Sequence, residues 1–340
     1  MSQPRVSVLM PVHNAEETLA EALRSICGQT LHDTEIVAVD DGSEDASGRI
    51  LREAASRDPR VRPVAREHGG LVAALNAGLR HCRAPFVARM DADDVSLPER
   101  LEKQLEMLRD DPGLGVAGCL VEGFPPGQVG EGMRLYLEWQ NRLRTHEEIV
   151  REIFVESPIT HPGACVRRSV LEEAGGYEDR GWAEDYDLWL RLAAAGVRFA
   201  KVPEVLLRWR EHPGRLTRTD GRYSVENFLR AKAHYLLAGP LRGRDAVFIW
   251  GAGKTGRRLS KHLVRGGCPL AAFIDIDPAK IGRTLRRVAI ISAGEFAGRW
   301  RRCRNPMLLA AVASRGARGE IRRELQRAAL AEGRDYLHVA

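Results

Sequence analysis

The sequence predicts an α/β protein of two domains, and three observations carry that prediction. Strand-length apolar runs alternate with amphipathic helix-length runs through the first part of the chain. The same alternation restarts at residue 246. Both stretches place Asp or Gly where the apolar runs stop, as the loops of a parallel sheet covered on both faces require. A length of 340 residues suits two domains at roughly 150 residues each.

Taken in order, Ser7–Val12 reads as a buried strand, and Asn14 with Glu17 has the spacing of a capping box. Leu19, Leu23 and Ile26 then fall on one helical face. Glu35–Asp40 is a second strand ending at Asp41-Gly42-Ser43, and Val61–Ala65 is a third. Leu71–Cys82 is helical, and Phe86–Met90 is a fourth strand that stops at Asp91-Ala92-Asp93-Asp94. Pro98 suits the first position of a helix carrying Leu101, Leu105 and Leu108.

From Leu114 the regularity fades. Gly123–Gly132 reads as a loop, His146–Phe154 as a helix, and Ala183–Ala195 as a helix stopped by Gly196. Leu237–Asp245 is the expected hinge. Beyond it come the strands Ala246–Trp250, Leu270–Ile274 and Met307–Val312, with a last helix over Glu320–Leu330.

Composition excludes several classes. With 44% hydrophobic and 29% charged residues the chain is ordinary globular protein, not disordered. The six cysteines lie at least 35 residues apart, so no local zinc or CxxC pattern exists. Without a signal-peptide pattern, the thiols read as reduced and the protein as cytoplasmic. No stretch approaches the ~20 apolar residues of a membrane span. Acidic runs interleave with the basic ones at a net charge of +6, which argues against a nucleic-acid footprint.

In open parallel sheets ligands bind beyond the C-terminal strand ends. Asp40 and Asp41 end one strand there, and Asp91 and Asp93 end another. A D-x-D pair at such a place can hold a hard divalent cation such as Mg²⁺ or Mn²⁺. Singly, these carboxylates are also what turns and helix N-termini carry. Their joint order is far more specific.

Residues 6–14 (VSVLMPVHN), 39–43 (VDDGS), 75–79 (LNAGL), 89–100 (RMDADDVSLPER), 158–168 (PITHPGACVRR) and 183–190 (AEDYDLWL) together closely resemble the family-two inverting glycosyltransferases of the GT-A fold. The resemblance covers roughly residues 5–235. It implies a GT-A nucleotide-diphospho-sugar transferase domain over residues 1–238, and the restarted alternation reads as a smaller Rossmann-like α/β domain over 244–340. It also implies roles. Pro11, His13 and Asn14 would lie under the nucleotide of the donor, with Asp40 and Asp41 facing base and ribose. Asp91 would stand near ribose and metal, Asp93 would be the direct metal ligand, and His212 would complete that site. Arg208 or Arg210 would neutralise the diphosphate. Asp185 would be the general base, with Glu184 beside it. His161 resembles a recurrent family position that capping explains equally well, and Trp182 is the better candidate for an acceptor platform.

The implied reaction moves a sugar from a nucleotide-diphosphate sugar, UDP-linked by expectation, to the hydroxyl of a glycan or lipid-linked acceptor. It inverts the anomeric centre, with Mn²⁺ or Mg²⁺ as cofactor. A lipid-linked acceptor would bring the enzyme to the inner face of the membrane as a peripheral contact.

In the second domain, Gly251-x-Gly253-x-x-Gly256 follows a strand and opens a helix, and Asp275 ends the next strand. That context suits a dinucleotide fingerprint binding a nucleotide or NAD(P). Phe248 at the first glycine position excludes a P-loop. The stretch also resembles the small nucleotide-binding domain of some sugar acyltransferases, through Ile274-Asp275-Ile276-Asp277-Pro278. The competing readings of the whole chain are therefore an NAD-dependent oxidoreductase and a nucleotide-sugar-binding regulator.

Overall fold

Apolar runs with aspartates at their ends become strands whose C-terminal ends carry carboxylates. The computed structural model describes residues 3–314 and 316–340. The chain divides into two compact units: residues up to 149 with 158–180 and 184–219, and residues 150–157 with 181–183 and 220–340.

The first unit contains β1 (Val6–Val12), α1 (Leu19–Cys27), β2 (Thr34–Asp41), α2 (Ser47–Arg57), β3 (Val61–Arg66), α3 (Leu71–His81), β4 (Phe86–Arg89), β5 (Val95–Ser96), α4 (Arg100–Asp110) and β6 (Leu114–Phe124). It continues through α5 (Glu131–Arg142), the first half of α6 (His146–Glu152), β7 (Cys165–Arg167), α7 (Arg168–Glu173), α8 (Glu184–Ala194), β8 (Arg198–Arg210) and α9 (Leu216–Thr219). The sheet runs β3-β2-β1-β4-β7-β6-β8-β5. β1 to β4 are mutually parallel, while β7 is antiparallel to both β4 and β6.

All seven residues of β1 are buried, as expected of a strand covered on both faces. Helix α1 buries Leu19, Ala22, Leu23 and Ile26, the i, i+3, i+4, i+7 stripe of an amphipathic helix. Two strands position the site directly. β5 pairs with β8 through Val95–Arg208 and Ser96–Leu207, which holds the acidic segment after β4 against the end of β8.

Three expectations for this unit need correction. Asn14 does not open a helix; α1 starts at Leu19. Asn14 sits at φ 48° instead, and its Oδ1 accepts from the Glu44 N–H at 2.9 Å, so its side chain serves a loop. Pro98 precedes α4 rather than starting it. The stretch after Leu114 is regular: β6 is an eleven-residue strand, and the expected loop gives way to α5 at Glu131.

The second unit holds α10 (Val225–Ala238), β9 (Ala246–Trp250), α11 (Lys254–Arg265), β10 (Leu270–Ile274), β11 (Thr284–Leu285), β12 (Val288–Ile291), α12 (Ala293–Trp300), β13 (Pro306–Ala310), α13 (Ala317–Arg327) and β14 (Tyr336–His338). Its sheet order is β11-β12-β10-β9-β13-β14. All but β11 are parallel, giving the doubly wound order 3-2-1-4-5. α10 and α11 pack one face through Leu229, Leu236, Leu259 and Leu263. α12 and α13 cover the other through Phe296, Ile321 and Leu325.

The glycine loop after β9 is shaped by packing. Gly251 has φ 109°, and a Cβ on Gly256 would stand 2.0 Å from the Gly251 carbonyl oxygen. Asp275 is buried, and its carboxylate accepts from the Ala252 N–H at 2.9 Å and the Asp277 N–H at 3.0 Å, with Lys280 Nζ at 3.3 Å. The expected ribose-binding acid is thus spent closing the loop itself. Packing and loop closure account for the placement of Gly251, Gly256 and Asp275.

Candidate active site

The end of β4 carries the densest group of carboxylates. Ligand oxygens of Asp91, Asp93 and Asp94 all lie within 4.8 Å of one another. Asp93 Oδ2 is 2.9 Å from Nε2 of His212, which the chain delivers just beyond β8. Asp94, 1% exposed, accepts the Arg210 backbone N–H on Oδ1 at 2.8 Å. Its Oδ2 is buried and has no hydrogen-bond partner in the protein.

Arg89, 3% exposed, donates to Asp91 Oδ1 at 2.6 Å. Burial raises the Asp91 carboxyl above the usual carboxylate range, Arg89 opposing and Asp93 adding to the rise. Asp94 is raised well above that range by burial and then by Asp93 and Asp91. The grouped oxygens of Asp91, Asp93 and Asp94, one of them orphaned, are hard donors that could hold a divalent cation, with His212 beside Asp93.

Burying a carboxylate without compensating charge is unfavourable, so nearby cations matter. Arg210 donates from Nε to the Asp93 carbonyl oxygen at 2.5 Å, is ion-paired to Glu21, and lies over the Phe124 ring at 4.3 Å. Arg208 is bound to Glu122 at 2.5 Å. Buried Arg215, paired with Glu211 at 2.9 Å, also lowers Asp91 and Asp94. Sequence reading missed Asp94, Arg215 and Arg89. The run of four acidic-motif residues pointed to Asp94; nothing in the sequence singled out the two arginines.

The ends of β1 and β2 form a second cluster. His13 Nδ1 and His68 Nδ1 both reach the Asp41 carbonyl oxygen, at 2.9 and 3.1 Å, and their rings stack at 4.3 Å. Asp40 is half-buried and caps the turn by accepting the Ser43 N–H at 3.0 Å. Asp41 behaves differently from the expectation that it faces base and ribose. Its carboxylate is 2% exposed and accepts from Arg66, the Gly69 N–H at 3.1 Å and the Gly70 N–H at 2.8 Å. It fixes the 66–70 loop. Pro11 is buried at the end of β1.

Glu184 and Asp185 open α8, where negative charge complements the helix dipole. Glu184 is 2% exposed; Asp185 is the more accessible of the two and accepts the Tyr186 N–H at 2.7 Å. His161 Nδ1 lies 3.8 Å from Glu184, and His161 Nε2 lies 3.0 Å from the Tyr177 hydroxyl. Burial, then the charge of Arg89, push His161 well below the ordinary histidine range. Trp182 is not an open platform: it is 8% exposed, with His234 5.7 Å away and Arg230 over its ring at 5.5 Å. Trp189 is core, its Nε1 donating to the Ile159 carbonyl at 3.1 Å.

The first unit is thus a largely parallel β-α arrangement with acidic groups at its strand ends. The profile of Glycosyl transferase family 2 matches residues 7–175. The chain is 35% identical over 210 residues to the amylovoran biosynthesis glycosyltransferase AmsE of Erwinia amylovora, covering 60% of this chain and 75% of that one. It is 32% identical over 281 residues to the putative glycosyltransferase EpsE of Bacillus subtilis, covering 80% and 92%. Its fold resembles S. aureus TarS in complex with UDP-GlcNAc, with TM-score 0.57 and 18% identity over 77% of this chain and 72% of that one. The chain belongs to glycosyl transferase family 2 and is a glycosyltransferase. Among the described residues, no helix is long and apolar enough to cross a membrane.

Proposed function

We propose that the chain catalyses inverting transfer of a sugar from a nucleoside-diphosphate sugar, uridine-linked, to a hydroxyl of a glycan or lipid-linked acceptor in polysaccharide assembly. The observation that carries this reading is the gathering of Asp91, Asp93 and Asp94 with His212. Asp93 and His212, with Asp91, would hold Mn²⁺ or Mg²⁺, which when bound supplies Lewis-acid stabilisation of charge on the leaving diphosphate. Asp40, His13 and Asn14 take the nucleotide, Asp40 accepting from ribose hydroxyls or a base N–H. Arg210 holds the acidic segment in place from Asp93 and Asp94 and adds positive field there.

Asp185 accepts the proton of the incoming hydroxyl as general base, and the helix that carries it sets its position. Glu184, turned inward toward His161, positions that first turn. A single displacement inverts the anomeric centre. The oxidoreductase reading has no comparable support, because Asp275 is engaged by its own loop.

The test incubates purified chain with a panel of UDP-, GDP- and TDP-sugars, Mn²⁺ or Mg²⁺ and candidate acceptors, and measures release of nucleoside diphosphate. Asp93→Ala and Asp185→Ala should each abolish transfer. Undiminished transfer by Asp185→Ala removes it as base, and binding of donor without turnover by the unaltered chain favours a regulator instead.

A further inference from the structure

The charge of the chain is split between its two parts. Residues 220–340 hold 24 Lys and Arg against 10 Asp and Glu, a net of +14. Residues 1–219 hold 28 against 36, a net of −8. Such asymmetry points to an anionic partner for the basic part.

The topology says where the charge gathers. Because β9, β10, β12, β13 and β14 are parallel, the segments preceding each of them lie at one end of the sheet. Each such segment carries exposed arginine: Arg242 before β9, Arg265 before β10, Arg287 before β12, Arg301 and Arg304 before β13, and Arg334 before β14. Among the described residues, only Arg334 of these six has an ion-pair partner, Asp335. The other acids in these segments are Asp245, which accepts the Arg304 and Asn305 backbone N–H groups at 2.7 and 2.9 Å, and Glu332, which is paired with Arg322 at 2.8 Å. A cleft of about 350 Å³ opens here between Trp300, Arg301, Arg304 and Arg334.

Complementing a helix dipole explains basic residues in a last turn, such as Arg265. It does not explain Arg287, Arg304 or Arg334. Arg286 and Arg287 also form a two-residue hairpin turn between β11 and β12 with φ of 52° and 65°, where Asn-Gly would be relaxed. Arg286 is turned back onto Ser260 Oγ at 2.9 Å, which leaves Arg287 outward. Arginine kept at a strained tip suits a contact made by its side chain.

We propose that this strand-start end of the second unit is a docking surface for an anionic lipid bilayer. Five parallel strands at about 4.8 Å spacing spread the arginines over roughly 20 Å, which matches a plane of headgroup phosphates rather than one small anion. The aromatic residue at this end, Trp300, packs against Phe248 and Phe296, so no ring is offered for base stacking. The inference rests on charge and topology and is independent of the donor and metal assigned above.

The experiment is vesicle flotation of the full chain with phosphatidylcholine alone and with phosphatidylcholine–phosphatidylglycerol, across a salt series. Binding is expected only to the acidic vesicles and should fade as screening shortens toward about 3 Å at 1 M salt. Arg301→Glu/Arg304→Glu should lower the bound fraction at least about tenfold. Arg242→Gln/Arg287→Gln, on other loops, should lower it less and serves if the first variant misfolds. Both variants should release nucleoside diphosphate from donor and soluble acceptor as the unaltered chain does. No binding to acidic vesicles at low salt, binding unchanged in both variants, or tighter binding to a duplex oligonucleotide at the same salt would overturn the proposal. Failure of the transferase reaction with vesicle binding intact would count against the proposed activity alone.

Discussion

Asp93 and His212 are 119 positions apart, yet the carboxylate Oδ2 and the ring Nε2 stand 2.9 Å from each other. The pairing of β5 with β8 creates this contact, since Val95–Arg208 is the rung beside it. The imidazole nitrogen and the carboxylate oxygen bond each other, and ligand oxygens of Asp91 and Asp94 lie within 4.8 Å of one on Asp93.

The first prediction follows from that arrangement. Chelation should stop nucleoside diphosphate release, and added Mn²⁺ should restore it. His212→Ala should weaken apparent metal affinity by at least about 10- to 100-fold, the loss already expected when a group that only orients a metal ligand is removed. A Mn²⁺ titration of turnover measures it. An unchanged midpoint in His212→Ala would place the cation elsewhere.

Arg89 carries the second prediction. Its guanidinium is almost fully buried, donates to Asp91, and interacts electrostatically with Glu184 and Tyr177. It therefore compensates buried negative charge on both sides of the site. Arg89→Met leaves Asp91 without its partner and should lower stability in urea unfolding by less than the about 3–5 kcal/mol of a fully buried pair, because the Asp91 side chain is 31% exposed. Arg89→Lys should recover part of that stability while still raising the donor KM, because a point charge cannot reproduce the planar fork. Equal KM in Arg89→Lys would mean that the charge alone matters.

Much of this organisation was legible in the residues, and its gaps have physical causes. Strands such as Val6–Val12 and Ala246–Trp250 are buried throughout, so their apolar runs stood out. β6 did not, because Gly115, Gly118 and Gly123 interrupt its pattern. A Cβ on Gly115 would meet Val197 at 2.4 Å, so glycine there marks close packing rather than a loop. Asp40 and Asp41 were equivalent on paper. Neighbours in a strand point to opposite faces, and only the folded sheet shows that Asp41 turns in to the 66–70 loop. Asn14 looked like a helix cap because the same side chain caps helices and closes loops.

The glycine loop of the second unit yields a paired test. Gly256→Ala places a methyl 2.0 Å from the Gly251 carbonyl, so backbone must move. Overpacking of this kind costs about 1–3 kcal/mol. Gly253→Ala meets nothing within 4 Å and should change stability by less than about 1 kcal/mol. Urea unfolding of the two variants separates them. A Gly253→Ala variant as unstable as Gly256→Ala would show that the loop is held differently.

The last prediction concerns acid sensitivity. His338 ends β14 fully buried, with no hydrogen-bond partner at either ring nitrogen and Glu332 3.8 Å away. Burial pulls it down to about 4, Glu332 opposing and Arg322 adding to the fall. An unfolded chain takes up that proton near 6.5, so between the two values the unfolded state binds more protons than the folded one. The stability from keeping this ring neutral is therefore complete above pH 6.5 and is lost progressively as pH falls to 4. Its size is about 3 kcal/mol. His338→Gln, which does not titrate, should remove that slope while leaving other acid-dependent terms in place. Urea unfolding at several pH values between 7 and 4, followed by a probe of the second unit such as Trp250 or Trp300 fluorescence, gives the difference directly. Parallel curves for the two chains would show that His338 takes up its proton without opening the fold.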